Sequence, residues 1–554
     1  MPRKRIFFYL ACIILVGILL RTPSLLVNFA NIDENEYALA GQIINQGGGP
    51  YKDFLIYQPP AIYYLYALVF KLVPATELVT EMWWVHIVFL LIVAATCLAI
   101  YLVGKEVYKE PTRGLFAALF YAIFSTTFLP QDMLAANIEL LMVLPMTLCA
   151  LFFLKEQFFI AGLFLGLSIL TKYQGGILLP ALALYLFWKN KNVTPAKAGV
   201  QPLTVLDSGF RRNDKGLFKG TLLPFFSLLL GAAWVGAGWV YYLYHNGALP
   251  DAIRCFLYIM DYAKGPPGTD IPYITLKFLL RTAMLAGAGF GLWYFAFRAM
   301  RQSLRHPSFL FTLWVLFGFA AVIAGGRMYF HYYIILYPAL SLLAGDWAGH
   351  FFERLKGMPF EKGAWRLTLF VVMIFIPVTG FTAYATYKPF RPKHKDYWIY
   401  VVDYIQDRTG PADSIFVWGY CPQIYTVADR RPATRFTTAD YLTGRSPKTA
   451  GLEYDPRTAN PPSVWKKLRR DFITPQEVID YDTSENIFPG AWNLLMEDFQ
   501  KNPPELIVDT SPSNYRMYGR YPMHEFPDLQ EYVKKNYVFE ASIRGMDIYR
   551  RKSK

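Results

Sequence analysis

The sequence predicts a helical membrane protein that ends in a small α/β domain. Of its 554 residues, 54% are hydrophobic and 17% are charged, a lower charged share than the roughly 25% of ordinary soluble domains. Apolar runs recur along residues 1–387, and the charge density rises sharply from residue 388. This composition excludes a disordered chain, a coiled coil and a collagen-like fibre.

Two domains are expected, a membrane domain at 1–387 and an outer α/β domain at 388–554. The second segment holds 25 Lys/Arg and 22 Asp/Glu, so only +3 of the net charge of +14 belongs to it. A nucleic-acid site would need a basic excess on a soluble face, and we therefore expect no nucleic-acid partner. In the outer domain we predict strands at Ser414–Trp418, Leu506–Val508 and Met546–Tyr549 and helices at Tyr397–Asp407, Trp492–Lys501 and Asp528–Asn536.

About eleven membrane spans are predicted, since a helix needs roughly 20 apolar residues to cross a bilayer. The N-terminal Met1-Pro2-Arg3-Lys4-Arg5 precedes an apolar run without a small-residue cleavage site, which indicates an uncleaved first span. The aromatic stretch 59–74 begins with Pro59-Pro60 and predicts a helix lying at the membrane interface. The predicted spans are 6–27, 82–104, 114–130, 138–154, 158–171, 174–189, 220–244, 274–297, 309–324, 331–347 and 367–387.

The charge of the loops predicts their sidedness. Starting inside, the predicted cytoplasmic segments hold 21 Lys/Arg and 8 Asp/Glu, whereas the outer segments up to residue 387 hold 9 Lys/Arg and 11 Asp/Glu. The positive-inside rule therefore places the N-terminus in the cytoplasm and the C-terminal domain in a periplasm-like space. Residues 190–219 are polar and aperiodic and resemble the peptide of small palindromic mobile elements, which indicates an inserted cytoplasmic loop and a bacterial inner membrane.

Polar residues collect on the predicted outer rim. Ionisable groups at a membrane are costly, so each is a functional candidate, and a site there would suit a substrate with a lipid tail and a charged head. Each also has a structural interpretation, such as a solvated loop acid, a helix N-cap, a buried hydrogen-bond partner or a snorkelling cation. The residues are Asp33, Glu34, Glu36, Asp53, Asp132, Glu139, Lys172, Arg327 and His331, with Arg21 near the outer end of the first span.

Three short motifs carry a resemblance to a known family. They are Asn31-Ile32-Asp33-Glu34-Asn35-Glu36-Tyr37, a Gly-Pro-Tyr turn at 49–51, and Gln58-Pro59-Pro60 opening an aromatic helix. Asp132 in LPQDMLAANIELLMVLP, Lys172 in GLSILTKYQGG and the segment GGRMYFHYYIILYPAL at 325–340 follow in order. Over most of 1–345 the chain resembles the bacterial polytopic GT-C glycosyltransferases of the protein-mannosyltransferase/aminoarabinose-transferase type, and the outer domain fits only in a general way.

The resemblance implies transfer of a sugar from a polyprenyl-phosphate carrier to an acceptor hydroxyl on the outer face, with inversion. It implies that Asp33 is the general base and that Asp132 positions Asp33 or the acceptor. Arg327, His331, Lys172 and Arg21 would meet the charge growing on the lipid phosphate. Gln58 stands where aminoarabinose-type relatives commonly carry a phosphate-binding Lys, which puts that donor in doubt. Glu34, Glu36 and Glu139 would be structural or would face a substrate.

Two other functions remain open from the sequence, a transporter or lipid-linked glycan flippase and a non-catalytic envelope assembly subunit. A transporter should show paired repeats and charged or broken helices near the midplane, and we predict neither. The five cysteines show no CxxC and no Cys/His metal spacing, and no D-x-D nucleotide-sugar loop stands out. We expect no cofactor, although the acidic clusters do not exclude a divalent metal. The expected partners are the lipid-linked sugar, membrane lipids and a glycan, lipid or protein acceptor.

Overall fold

A computed structural model of the chain describes residues 1–73, 78–193, 218–262, 271–304, 306–387, 397–444 and 483–553. Its N-terminal part is helical throughout. The first helices are α1 (Arg3–Arg21), α2 (Asp33–Asn45), α3 (Ala61–Leu72), α4 (Leu78–Tyr108), α5 (Pro111–Phe124), α6 (Pro130–Met133), α7 (Ile138–Leu154), α8 (Phe158–Thr171) and α9 (Leu178–Val193). They are followed by α10 (Leu223–His245), α11 (Leu249–Tyr262), α12 (Ile271–Ala288), α13 (Phe290–Ser303), α14 (Phe309–Ile323), α15 (Tyr337–Leu355) and α16 (Phe360–Tyr387).

Every predicted span contains a helix, but few of these helices are long. By length and composition, four segments of the described chain could cross a membrane: Arg3–Leu26, Glu81–Tyr108, Gly220–His245 and Phe360–Tyr384. Shorter apolar helices, among them α5, α7, α8 and α14, pack between them. Close approach makes this packing possible: a Cβ atom on Gly162 would lie 2.1 Å from the carbonyl oxygen of Leu228, so the backbones of α8 and α10 touch.

The predicted span at 274–297 is not one straight helix. Helices α12 and α13 meet there at an angle of 107°, with Gly289 between them. Helix α12 carries two buried cations, Lys277 and Arg281, whose burial within a straight span would be costly. Because of the bend, the helix that carries these two cations does not continue along the axis of α13. The expectation of no broken helix near the membrane midplane stays a prediction.

Two sequence predictions fall wholly or partly outside the described residues. The predicted insertion at 190–219 overlaps the end of α9 and a π-helical turn from Phe218 to Leu222, while 194–217 lies outside the description. The predicted domain boundary at 387/388 lies at the edge of the undescribed stretch 388–396. Both stay predictions.

The C-terminal part is a small α/β domain, as predicted. A mixed five-stranded sheet has the order β2-β1-β3-β5-β4, in which β1 pairs in parallel with both β2 and β3. The strands are β1 (Ser414–Trp418), β2 (Arg431–Pro432), β3 (Leu506–Asp509), β4 (Tyr537–Ile543) and β5 (Met546–Arg551). The helices are α17 (Trp398–Arg408), α18 (Gln423–Ala428), α19 (Asp440–Thr443), α20 (Ala491–Lys501) and α21 (Pro527–Asn536).

Strands β2 and β4 were absent from the sequence predictions. Strand β2 is only two residues long, and strand β4 forms by pairing with β5 in a hairpin. Arg544 and Gly545, at the turn of that hairpin, both have positive φ angles, of 55° and 80°. Two consecutive positive φ values are what a tight type I′ turn requires.

The outer domain rests on the loop that follows α2. The backbone N–H of Leu55 donates to the Arg435 carbonyl at 3.0 Å, and Gln42 Nε2 donates to the Thr426 carbonyl at 3.3 Å. The Tyr258 hydroxyl, on α11, donates to the Asn486 carbonyl at 3.0 Å. These contacts place the domain directly beside the polar rim residues.

Candidate active site

Asp33 begins helix α2 and lies partly exposed beside a group of charged side chains. The first turn of α2 holds Asp33, Glu34 and Glu36, where carboxylates interact favourably with the helix dipole. Within the described part of the chain, the Asp33 carboxylate makes no hydrogen bond of its own. It is therefore placed to accept one from a bound molecule.

Asp132, Glu139, Lys172 and His331, which come from four separate segments, meet next to Asp33 and form with it what we call the rim cluster. His331 Nδ1 lies 3.0 Å from Asp132 Oδ1, and His331 Nε2 lies 3.8 Å from Glu139 Oε1. Lys172 Nζ forms an ion pair with the same Glu139 oxygen. The arrangement alternates acids and bases, so each buried charge has an opposite neighbour.

The cluster acts on the protonation of Asp33. Burial raises the pKa of the Asp33 carboxyl above its ordinary value, the charges of His331 and Lys172 oppose that rise, and Glu139 and Asp132 add to it. Burial alone would lower the pKa of His331, but Glu139, Asp132 and Asp33 together raise it. A carboxylate with a raised pKa is a stronger base, and a nearby cation keeps it ionised.

Glu34 has a different environment from its neighbour Asp33. It is fully buried, and its carboxylate accepts the backbone N–H of Ala30 at 2.6 Å and that of Ala136 at 2.5 Å. His86 Nε2 lies 3.2 Å from the same carboxylate. These contacts tie the loop before α2 to the segment before α7, which supports the structural interpretation of Glu34.

Arg21 is buried and points at backbone carbonyls. Its guanidinium donates to the carbonyl oxygens of Met133 at 2.8 Å and Ser125 at 2.9 Å. It therefore holds the segment that carries Asp132. These hydrogen bonds favour a structural part for Arg21, and its expected contact with the lipid phosphate stays a prediction.

The glycine-rich segment around Arg327 is held in an unusual conformation. Gly325, Gly326 and Met328 all have positive φ angles, of 78°, 66° and 50°. Non-glycine residues seldom adopt such angles, and they concentrate where a backbone must be held in one shape. Arg327 itself is 2% exposed.

Arg281 and Lys277 are site residues that the sequence reasoning missed. Arg281 Nη1 donates to the carbonyl oxygens of Arg327 and Met328 at 3.0 and 2.9 Å. Lys277, one turn earlier on α12, donates to the Tyr273 hydroxyl at 3.1 Å. The sequence did hold a signal for them, namely two cations four residues apart inside an apolar run. Such charges are costly in an apolar segment and are therefore functional candidates.

Two features of the site remain to be described, the side chain of Gln58 and the groups that could bind a metal ion. Gln58 lies in the loop before α3, and its Oε1 is buried with no hydrogen-bond partner among the described residues. No group of three or more His, Cys, Asp or Glu side chains arranged to hold a metal ion occurs in the described ranges.

Known proteins resemble this chain in part of its sequence and in its fold. A model of the dolichyl-phosphate-mannose-protein mannosyltransferase family matches residues 57–205, which include Asp132, Glu139 and Lys172. Comparison with curated proteins gave no match. Among solved structures, ArnT from Cupriavidus metallidurans bound to undecaprenyl phosphate superposes with a TM-score of 0.55 at 13% identity, covering 99% of this chain and 98% of ArnT. The chain has the GT-C fold.

A second structure extends the comparison. The oligosaccharyltransferase AglB from Archaeoglobus fulgidus, in complex with an inhibitory peptide and a dolichol-phosphate, superposes with a TM-score of 0.53 at 14% identity. The match covers 100% of this chain and 75% of AglB. At such identities the likeness establishes the fold alone, which the chain shares with ArnT and AglB.

Proposed function

We propose that this GT-C enzyme transfers a sugar from a polyprenyl-phosphate carrier to an acceptor hydroxyl, with Asp33 as the general base. The observation that carries the proposal is the Asp33 carboxylate, partly exposed and without a hydrogen bond in the described chain, beside the cations of the rim cluster. The polyprenyl phosphates bound to ArnT and AglB support the class of donor.

The reaction needs one proton acceptor and one stabiliser of negative charge. Asp33 takes the proton of the acceptor hydroxyl as its oxygen attacks the anomeric carbon, and the bond from that carbon to the phosphate oxygen breaks. Attack from the face opposite the leaving phosphate inverts the anomeric centre. The electron pair of the broken bond stays on the polyprenyl phosphate, whose charge must then be met by cations.

The cations available lie on one side of Asp33. His331 and Lys172, at the end of α8, belong to the rim cluster, and Arg327 lies four residues before His331 in the chain. Arg281, on α12, donates to the carbonyl oxygens of Arg327 and Met328. Lys277, one turn earlier, donates to the Tyr273 hydroxyl of the same helix. We assign Arg327, with Arg281 behind it, the leading part in holding the donor phosphate, since Lys172 is paired with Glu139. This reaction draws on no cofactor.

The proposed setting is the outer face of a bacterial inner membrane, with the N-terminus in the cytoplasm and the α/β domain in the periplasm. The loop charges support this sidedness. The acceptor, a glycan, lipid or protein, would enter between the rim cluster and the α/β domain, near the hydrogen bond from Tyr420 to Glu36 that joins this domain to α2.

The experiment uses the full chain in lipid nanodiscs with radiolabelled polyprenyl-phosphate mannose and aminoarabinose and with envelope extracts as acceptor. We expect Asp33→Asn to slow sugar transfer and carrier release by about 10²–10⁴-fold, the usual effect of a lost general base. Asp403→Asn, the same change at an exposed site on α17, should leave the rate unchanged. Undiminished transfer by Asp33→Asn would contradict the assignment, and movement of labelled lipid across the bilayer without bond cleavage would favour a flippase.

A further inference from the structure

A cavity lies far from the rim cluster. Helix α15 starts just after the His331 segment and runs to Leu355, so Arg354 near its end lies roughly 25 Å further along the helix axis. There α13, α15 and α16 surround a cleft of about 370 Å³. This volume falls within the range of small-molecule sites.

Stacked aromatic rings form one wall of the cleft. The rings of Phe295 and Trp347 are nearly parallel, with centroids 4.3 Å apart. Phe351 stacks on Trp347 at 5.1 Å, and Phe370 stacks on Phe351 at 5.4 Å. The wall is therefore rigid and apolar, and it joins all three helices.

Three arginines line the same cleft, one from each helix: Arg298, Arg354 and Arg366. All three are exposed, and none pairs with a carboxylate in the part of the chain that the structure describes. Arg366 Nη1 donates to the Met358 sulfur at 3.2 Å. We call this site the basic cleft.

Asp346 and Glu353, which adjoin cleft residues in the chain, face Arg113, and Asp346 also lies 3.6 Å from Nδ1 of His350 in the cleft lining. Asp346 Oδ1 lies 2.7 Å from Arg113 Nη1, and Glu353 Oε1 lies 3.7 Å from Arg113 Nη2. Both carboxylates, with that of Glu110, therefore surround Arg113, and the three arginines of the cleft have no ion pair with them. Three guanidinium groups in one place favour an anionic ligand with several acceptor oxygens.

Exposed apolar surface continues from the cleft along α16. That helix is a candidate membrane span, and its residues Leu369, Val372 and Ile376 are 48%, 39% and 66% exposed. Trp365, next to Arg366, is 69% exposed, as expected of a side chain at a membrane interface. A ligand that covered both surfaces would need an anionic head and long apolar chains.

We propose that the basic cleft binds the phosphate headgroup of an anionic phospholipid whose acyl chains lie along the exposed face of α16. Basic pockets between helices at a membrane edge suit such headgroups, and each nearby Arg adds electrostatic attraction. The site is separate from the rim cluster by the length of α15. The lipid is a bound partner of the enzyme and takes no part in sugar transfer.

Native mass spectrometry of the full chain in neutral detergent tests the proposal, with phosphatidylglycerol, phosphatidylcholine and sodium phosphate as probes. The test variant combines Arg298→Gln, Arg354→Gln and Arg366→Gln. The control combines Arg301→Gln, Lys356→Gln and Lys362→Gln, which removes equal charge from exposed positions outside the cleft.

We expect the wild type and the control to retain phosphatidylglycerol in preference to phosphatidylcholine. The test variant should bind phosphatidylglycerol roughly tenfold more weakly or worse. Equal weakening in both variants would overturn the proposal, because it would indicate attraction to net charge alone. Competition by sodium phosphate at the concentrations where the lipid binds would also overturn it, since it would indicate a site for a free anion.

Discussion

The imidazole of His331 is hydrogen-bonded to the carboxylate of Asp132, with 3.0 Å between Nδ1 and Oδ1. The two residues lie 199 positions apart in the chain, and this contact joins the segment after α14 to the short helix α6. Asp132 thereby orients the ring and favours its cationic form, which in turn bears on Asp33.

We expect His331→Gln to move the acidic limb of the pH–rate profile to higher pH. Activity falls as Asp33 becomes protonated, and burial already raises the pKa of that carboxyl. Without the imidazolium that opposes this rise, Asp33 loses its proton only at higher pH. The measurement is kcat/KM against pH, with His245→Gln, an exposed site, as the control. An unmoved limb would show that His331 does not act through Asp33.

The buried pair of Lys172 and Glu139 should contribute far more to stability than an exposed one. Glu139→Gln leaves the ammonium, with a side chain 9% exposed, without its carboxylate, and we expect a loss of about 3–5 kcal/mol in unfolding free energy. The matched control is Glu156→Gln, whose partner Lys189 is 39% exposed, with an expected change of about 1 kcal/mol or less. Denaturant unfolding in detergent compares the two, and similar losses would contradict the expectation.

Glu36 should make stability depend on pH at the contact between the two domains. Burial raises the pKa of Glu36 to about 8, although the hydrogen bond from Tyr420 works in the opposite direction. The folded state therefore holds this proton more tightly than the unfolded state does. The resulting stability is fully present below about pH 4.5 and is lost as the pH rises towards about 8.

Glu36→Gln, which cannot ionise, should remove this part of the pH dependence. Unfolding midpoints of the variant and the wild type, measured across the acidic and neutral range, check it. Glu531→Gln, on the exposed surface of α21, serves as the control. Parallel curves for Glu36→Gln and the wild type would contradict the assignment.

Arg281→Gln should lower the catalytic efficiency with the lipid-linked sugar, because it loosens the segment that carries Arg327. Loss of its two hydrogen bonds to the carbonyl oxygens of Arg327 and Met328 frees a segment whose backbone angles are unusual. We expect kcat/KM for the lipid-linked sugar to fall by about tenfold or more, mostly through KM. Steady-state kinetics measure it, and Arg281→Lys should restore part of the loss. Arg254→Gln, a partly exposed site on α11, is the control.

The sequence predicted the helices of the membrane domain because apolar length is a local signal. It also predicted β1 closely, since Ser414–Trp418 is a short apolar run between turns. The break at Gly289 was missed because hydropathy averages over the charges at Lys277 and Arg281. Strand β4 was missed because it depends on pairing with β5, and no local pattern records a partner.

In the candidate site, too, some features have a local sequence signal and others depend on the fold. Asp33, Asp132 and His331 were recognised from short motifs, but their meeting is a property of the fold. Glu34 and Arg21 carry the same charges as Asp33 and Arg327, and their backbone partners favour a structural part. A one-dimensional pattern does not distinguish a carboxylate that faces substrate from one that accepts two backbone N–H groups.

The hydrogen bonds of Arg21 also bear on protein engineering. Exchange of α1 for an unrelated signal-anchor helix would preserve insertion into the membrane and the orientation of the chain. It would nevertheless release the Ser125 and Met133 carbonyls, and with them the segment that carries Asp132. Chimaeras and N-terminal fusions of this enzyme should therefore join upstream of Arg3 and keep the first helix intact.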